Sequence, residues 1–261
     1  MKIVALLQAR MGSIRLPNKV MRPINNTPMI ELMLTRLSQT KRVTQIVLAT
    51  SIDPKNQPLA EHVRSLGYEV FLGSENDVLD RFYNAALYYK ADAVIRVTGD
   101  CPLIDPVLID TIINEYEASG VDYATNTLPP TYPDGLDVEI FSFDALKITA
   151  QTAIKPYERE HVTPFIRTSS IFSHRNIANT VDLSHLRWTV DELVDFAVIE
   201  QVFQHFHPRT DFSWHEVLDL QQQSPHIFSA NQKIKRNEGS TMSEAEKRNK
   251  QTQAGASISH E

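Results

Sequence analysis

Four short apolar runs recur through the first hundred residues: KIVALL (2–7), QIVLAT (45–50), YEVF (68–71) and AVIRV (93–97). Each is followed by a stretch of helical period, PMIELMLTRLSQ (28–39), PLAEHVRSLG (58–67), VLDRFYNAALYY (78–89) and PVLIDTIINEYEASG (106–120). In the third of these, Val78, Leu79, Phe82, Ala85, Ala86 and Tyr89 fall close to the i, i+3, i+4, i+7 pattern of one buried face. Strands separated by helices pair as parallel neighbours through crossovers. The alternation therefore predicts an α/β fold, Rossmann-like, with a mostly parallel sheet and helices on both faces.

After residue 125 the rhythm loosens. PPTYPDG (129–135) is a turn cluster and LDVEIFSF (136–143) alternates like a half-exposed strand, with Asp137 and Glu139 on one face and Leu136, Val138 and Ile140 on the other. DALKITAQTA (144–153) and YEREHVTPFIRTS (157–169) read as helices, and HLRWTV (185–190) as one more strand. DELVDFAVIEQVFQHF (191–206) reads as the final helix, amphipathic and starting on an acidic cap. No Gly/Pro/Ser-rich linker divides residues 1–232, which form one domain. From Lys233 to Glu261 the chain lacks apolar periodicity, as a polar flexible tail or a linker does.

A hydrophobic content of 42% fills a real core, and no apolar stretch approaches the roughly 18 residues of a membrane helix. Cys101 is the single cysteine, which excludes an internal disulfide and any multi-thiolate metal site. A cytoplasmic protein without a membrane partner is expected. The net charge of −6, with no basic block, argues against a nucleic-acid surface. Any anion must be held locally.

The local candidate is QARMGSIRLPNK (8–19), at the end of the first strand, where open α/β sheets bind ligands. It sets Arg10, Arg15 and Lys19 around Gly12, which lets backbone approach a ligand closely. Two guanidinium forks and a mobile ammonium suit a nucleotide triphosphate. The loop is neither G-x-x-x-x-G-K-[ST] nor G-x-G-x-x-G, so both of those assignments drop out. In AVIRVTGDCPLID (93–105) a strand runs into Gly99 and Asp100. A carboxylate there suits Mg²⁺, while Asp105, just before Pro106, is the better helix cap. Asp191, ending RWTVD, is by local sequence a helix cap; the need for a second carboxylate makes it the alternative metal ligand. Gln8, Ala9 and Ser13 of the loop, and Thr98 beside Asp100, complete the expected nucleotide site. Cys101 has no companion base and reads as a small packing residue. Asp134, Asp137, Glu139, Arg159, Glu160 and His161 concentrate polar groups in a half-buried region and form the expected acceptor side. Asp134, before Gly135, equally suits a turn, and His161 a packed histidine.

Six blocks in this order, LLQARMGSIRLPNKV, GSENDVLDRFY, RVTGDCPLID, PDGLDVEIF, EREHVTPFI and RWTVDE, resemble the cytidylyltransferases that form CMP-sugars. Gln8, where the sugar-acid enzymes carry proline, brings the chain closer to the branch of the spore coat polysaccharide biosynthesis protein F. The resemblance covers residues 2 to about 230. It implies a glycosyltransferase-A-type fold and transfer of CMP from CTP to an acceptor with release of pyrophosphate. It further implies that Arg10, Arg15 and Lys19 bind the triphosphate, that Asp100 and Asp191 hold Mg²⁺, that Arg81 and Asp80 lie by the cytosine, and that the chain forms a homodimer. PDGLDVEIF and EREHVTPF depart from the sugar-acid pattern, which leaves a sugar, sugar acid, phosphate or phosphonate open as acceptor. A glycosyltransferase using a nucleotide sugar and a non-catalytic nucleotide-binding module are the alternatives.

Overall fold

The computed structural model describes residues 1–236. Its first strand, β1 (Ile3–Gln8), is buried along almost its whole length, as a continuous apolar run demands of a strand covered on both faces. A two-residue ladder follows, β2 (Pro23–Ile24) with β3 (Thr27–Pro28), turning through Asn25 and Asn26, both with positive φ. Then come α1 (Met29–Leu37), β4 (Gln45–Ser51), α2 (Gln57–Ser65), β5 (Glu69–Gly73), α3 (Val78–Tyr88), β6 (Ala93–Thr98) and α4 (Pro106–Ser119). The second half adds β7 (Tyr123–Thr125), β8 (Glu139–Ser142), α5 (Phe143–Thr152), α6 (Pro156–His161), α7 (Pro164–Thr168) and β9 (His174–Asn176). The described chain closes with α8 (Leu193–Phe206), α9 (Trp214–Gln223) and α10 (Pro225–Phe228).

The main sheet runs β5-β4-β1-β6-β8-β7-β9. Strands β5, β4, β1 and β6 are parallel, β8 is antiparallel to both its neighbours, and β9 is parallel to β7. Alternate residues of β1 feed two cores. Ile3, Ala5 and Leu7 pack under α1, α4, α8 and α9, while Val4 and Leu6 pack under α3 and α5. The expected mostly parallel sheet with helices on both faces is what the chain forms. No helix among the described residues is long and apolar enough to cross a membrane.

Four local expectations are corrected. The strand read over 136–143 starts at Glu139 and is buried rather than half-exposed, because β8 lies inside the sheet between β6 and β7. HLRWTV forms no strand: its main-chain groups bond to two loops, Trp188 N–H to the Asp134 carbonyl (2.7 Å) and Val190 N–H to the Asp100 carbonyl (2.7 Å). The helix read over 157–169 breaks at Val162 (φ 72), since Pro164 has no N–H to continue the ladder and instead opens α7. The helix over 191–206 is not the last: Ser213 and Glu216 form the capping box of α9, a signal present in the sequence.

Arg36 joins the two halves on one face. The side chain is fully buried and donates to four carbonyls, Ile104 (2.9 Å), Thr210 (2.6 Å), Phe212 (2.9 Å) and Leu103 (3.3 Å), with its guanidinium 4.3 Å from the Phe212 ring centroid. Burial lowers its pKa to about 10 against the opposing pull of Asp105, Asp211 and Glu216. An Arg36→Leu variant strands these buried acceptors and is expected to lose about 3 kcal/mol. Thermal unfolding checks this as a Tm drop of roughly 5–10 °C.

Candidate active site

The site forms where β1 and β6 end side by side. Gly99 N–H donates to the Gln8 carbonyl at 2.8 Å, and a Cβ on Gly99 would stand 2.8 Å from the Ala9 Cβ. Only glycine lets the two strand ends converge this closely. Beyond Ala9 the cationic loop is pinned by a residue that sequence reading missed: buried Asn56 accepts from Met11 N–H (2.8 Å) and donates to the Ser51 hydroxyl (2.7 Å). Ser51 in turn donates to Glu75, which holds Arg10 at 2.8 Å. Ser13 accepts from Leu16 N–H at 3.3 Å, and Gly12 has no atom within 4 Å of where its Cβ would stand. Asn18, with φ 57, turns the chain into Lys19.

Lys19 gathers the site. Its ammonium donates to the Val190 carbonyl (2.7 Å) and Asp191 Oδ1 (3.2 Å), and lies 3.9 Å from Asp100 Oδ2. Arg15 also reaches Asp191, at 3.1 Å. The structure therefore brings Arg15, Lys19, Asp100 and Asp191 together from segments up to 176 residues apart (191 − 15), and turns Arg10 aside to Glu75. Burial pushes the Asp100 carboxyl up, yet the Lys19 charge and the hydrogen bond from the Thr98 hydroxyl hold it below the usual carboxylate range.

Asp191 is not the helix cap that local sequence favours. The cap position of α8 is Glu192, and Asp195 reaches back to accept from the N–H groups of both Asp191 and Glu192, at 3.0 Å each. The Asp191 side chain is thereby left to face Lys19. Asp105 is the cap of α4, as expected: one oxygen accepts from Leu108 N–H (2.9 Å) and the other from Trp214 N–H (2.8 Å).

Arg187 anchors the segment that delivers Asp191. Its guanidinium, nearly fully buried, donates to both oxygens of Asp195 at 2.8 Å and reaches Asp134 (3.3 Å) and Asp191 (3.4 Å). Asp134 itself bonds the segment through its backbone, its N–H donating to the Leu186 carbonyl at 2.9 Å. Gly135, at φ 110, is required there: a Cβ would meet the Trp188 carbonyl carbon at 2.6 Å. Asp137 pairs with Arg236, which sequence reading assigned to the tail; the same guanidinium lies 3.9 Å from Asp134. Residues 237–261 of that expected tail lie outside the described residues.

The expected acceptor residues divide. Glu139, at the start of β8, is buried, and both of its carboxylate oxygens are filled from within the protein. One oxygen accepts from Tyr123 Oη (2.6 Å) and the other from Arg96 Nη1 (2.6 Å), whose Nε donates to Gln8 (3.2 Å). Burial raises the Glu139 pKa, and Arg96 with the Tyr123 hydroxyl outweighs it, leaving the carboxyl ionised. Arg159 also has partners within the protein. It forks onto Asp77 (2.6–3.1 Å) and the Ala150 carbonyl (2.7 Å), fastening α6 to the start of α3. Glu160 and His161 sit half-buried on α6 beside it.

Arg81 is buried rather than exposed. It donates to the Ser74 carbonyl at 2.5 Å, its Nε has no partner among the described residues, and Gly73 makes room for its stem. Burial lowers its pKa to about 10, with Glu75 and Arg10 the nearest charges acting on it. Asp80, half-buried one residue earlier, gives its N–H to the Asp77 cap at 2.9 Å. Cys101 is buried, and burial raises its thiol well above the ordinary value, in keeping with a packing role.

Chemically, the arrangement offers two aspartates around one ammonium, with arginines on the rim. No group of three or more His, Cys, Asp and Glu side chains converges as a metal cage among the described residues. Two carboxylates without a cage fit a hard cation that keeps waters and takes oxygens from a phosphate.

The cationic loop and the paired aspartates lie at the carboxyl ends of the parallel strands, where open α/β sheets bind ligands. The chain belongs to the cytidylyltransferase family, whose pattern it matches over residues 4–234. It is 32% identical over 231 residues to the spore coat polysaccharide biosynthesis protein SpsF of Bacillus subtilis, covering 85% of this chain and 95% of that protein. It is similar in structure to a cytidylyltransferase from Leptospira borgpetersenii, with a TM-score of 0.84, 32% identity, and coverage of 90% of this chain and all of the other. A shorter match, 35% over 133 residues and about half of each chain, links it to the 8-amino-3,8-dideoxy-manno-octulosonate cytidylyltransferase of a Shewanella species.

Burial and the neighbouring Asp137 push the Asp134 carboxyl up to about 7, against Arg236 and Arg187. The folded chain thus holds a proton that the unfolded chain, at an ordinary 3.8, releases. That contribution to stability is full below about pH 4 and is lost as pH rises through about 7. Relative to the parent, Asp134→Asn is expected to gain stability between pH 4 and 7.5, on the order of 2 kcal/mol. Paired denaturant titrations across that range check it.

Proposed function

We propose that the chain transfers CMP from CTP to a small acceptor with release of pyrophosphate, in the synthesis of a surface polysaccharide or glycoconjugate. The observation that carries this reading is Lys19 drawn between Asp100 and Asp191 at the end of a cytidylyltransferase-family sheet. An acceptor oxygen attacks the α-phosphorus in line, and the bond to the departing pyrophosphate breaks. Negative charge grows on that leaving group, so catalysis rests on positioning and charge neutralisation.

Arg10, Arg15 and Lys19 take that neutralising role. Arg10 is half-exposed and held only by a partly exposed ion pair with Glu75, a weak contact that a triphosphate readily replaces. Asp100 and Asp191 are the residues that would hold Mg²⁺, which would supply charge neutralisation at the α-phosphate and acidify an acceptor hydroxyl. Lys19 meanwhile keeps Asp100 ionised. Gln8, Ala9, Gly12, Ser13 and Thr98 line the triphosphate side, and Arg81 with Asp80 the base side. Asp134 and Asp137 lie on the acceptor side of Asp100. The Shewanella relative's name makes a sugar acid the first acceptor to try.

The test is pyrophosphate release with each of the four nucleoside triphosphates, Mg²⁺ and a panel of sugar acids, sugar phosphates and phosphonates. CTP is expected to exceed the other three at least tenfold. No release with any of them sinks the reading, and cleavage of a nucleotide sugar instead would make the chain a glycosyltransferase. Asp100→Ala is expected to lower turnover roughly 100- to 1,000-fold while leaving the fold intact. A binding module would be indifferent to it.

A further inference from the structure

Met11 is the node of the cationic loop. Its carbonyl accepts from the N–H groups of Ser13 (2.9 Å) and Asn18 (3.2 Å), and the second of these bonds closes residues 11–18 into a ring. Arg10 precedes the node, Arg15 stands on the ring, and Lys19 follows its closing residue. All three cations are therefore placed relative to one residue. Buried Leu16 gives the ring an apolar anchor, and among the described residues the N–H groups of Gly12, Ile14 and Arg15 have no protein partner.

The Met11 N–H is held from outside the loop, by the side chain of Asn56 at the end of the short helical turn Pro54–Asn56 that follows β4. The amide of Asn56 cannot sit the other way round. Met11 N–H needs an acceptor, which of the two amide atoms only Oδ1 offers (2.8 Å), and Nδ2 then donates to the Ser51 hydroxyl (2.7 Å). That hydroxyl gives its one hydrogen to Glu75, so it receives from Asn56 and from Asp53 N–H (3.2 Å). Asn56 is buried with both ends of its amide in use. What it does for a ligand it therefore does through Met11.

We propose that Asn56 is a positioning residue for phosphate binding: it holds Met11, and with it Arg10, Arg15 and Lys19, in the geometry that meets the departing pyrophosphate. This rests on the triphosphate role given to the three cations above. Apolar contact at Leu16 is non-directional, whereas the bond to Met11 N–H fixes the orientation of the chain just where Arg10 leaves it. Orientation matters here, because a group displaced by about 1 Å can cost on the order of 100-fold. A side chain that meets no ligand thus sets how well the loop binds one.

The experiment is isothermal titration calorimetry of the full chain with CTP and with CMP, each in the presence of Mg²⁺. CMP lacks the phosphates that leave as pyrophosphate, so the preference for CTP over CMP reads the loop. Asn56→Ala is expected to cut that preference at least fivefold, with CMP affinity within threefold of the parent. Ser51→Ala, which breaks the path to Glu75 and leaves the Met11 bond, is expected to keep the preference within twofold. A smaller fall in Asn56→Ala overturns the proposal, as does equal weakening of both ligands, the mark of general structural damage. So does a larger fall in Ser51→Ala, which would put the effect in Glu75 and Arg10 instead. A parent with no preference for CTP fails the triphosphate reading itself, and the proposal falls with it. If far-UV circular dichroism shows Asn56→Ala unfolded, amide exchange in the ¹⁵N-methionine-labelled parent decides. Met11 N–H is expected to exchange at least tenfold more slowly than a free peptide amide, and exchange at the free rate overturns the proposal.

Discussion

The buried ion pair of Arg187 with Asp195 is the contact on which the site depends. A guanidinium taken out of water is costly unless its donors are filled, and here Asp195 fills two of them while Asp134 and Asp191 each take one more. Asp195 does a second task with the same carboxylate: it accepts the N–H groups of Asp191 and Glu192 ahead of α8. The chain between Arg187 and Asp191 is thereby stretched along the edge of the site. It is held to the loops at 100 and 134 by main-chain hydrogen bonds rather than by a strand partner. The position of Asp191 against Asp100 follows from that arrangement.

Around this fixed edge the site balances charge locally on a chain that is acidic overall. Lys19 serves Asp100 and Asp191, Arg96 serves Glu139, and Arg236 serves Asp137. The pairs differ in what they can exchange. Glu139 is buried with both carboxylate oxygens filled, and with half-buried Arg96 forms part of the scaffold. Arg10 and Arg15 are more exposed and form rim ion pairs, which are weak in water.

The site is also tied to parts of the molecule remote from the reacting centre. Asn56 and Ser51, at the end of β4, link the loop backbone at Met11 to Glu75 and so to Arg10. Across the sheet, Arg159 clamps Asp77 and holds α6 against α3, next to buried Arg81. These contacts make the cationic loop and the start of α3 parts of one hydrogen-bonded frame, so a ligand spanning them meets preset donors.

The sequence by itself determined the parallel half of the sheet, because apolar runs alternating with helical periods have few other ways to be buried. It also determined the cationic loop, Asp100 and the Asp105 cap, since each depends on neighbours within a few positions: Gly99 beside Asp100, and Pro106 after Asp105. What it did not show were contacts made by distant partners. HLRWTV has the composition of a strand, but its hydrogen bonds go to loops some 50 and 90 residues earlier. Glu139 and Arg159 have the polarity of ligand-binding residues, but Arg96 and Asp77 occupy them. Only the tertiary structure decided that Asp191 faces Lys19 rather than capping its helix, and that Arg236 pairs with Asp137. Both outcomes turn on long-range ion pairs, whose geometry no local pattern encodes.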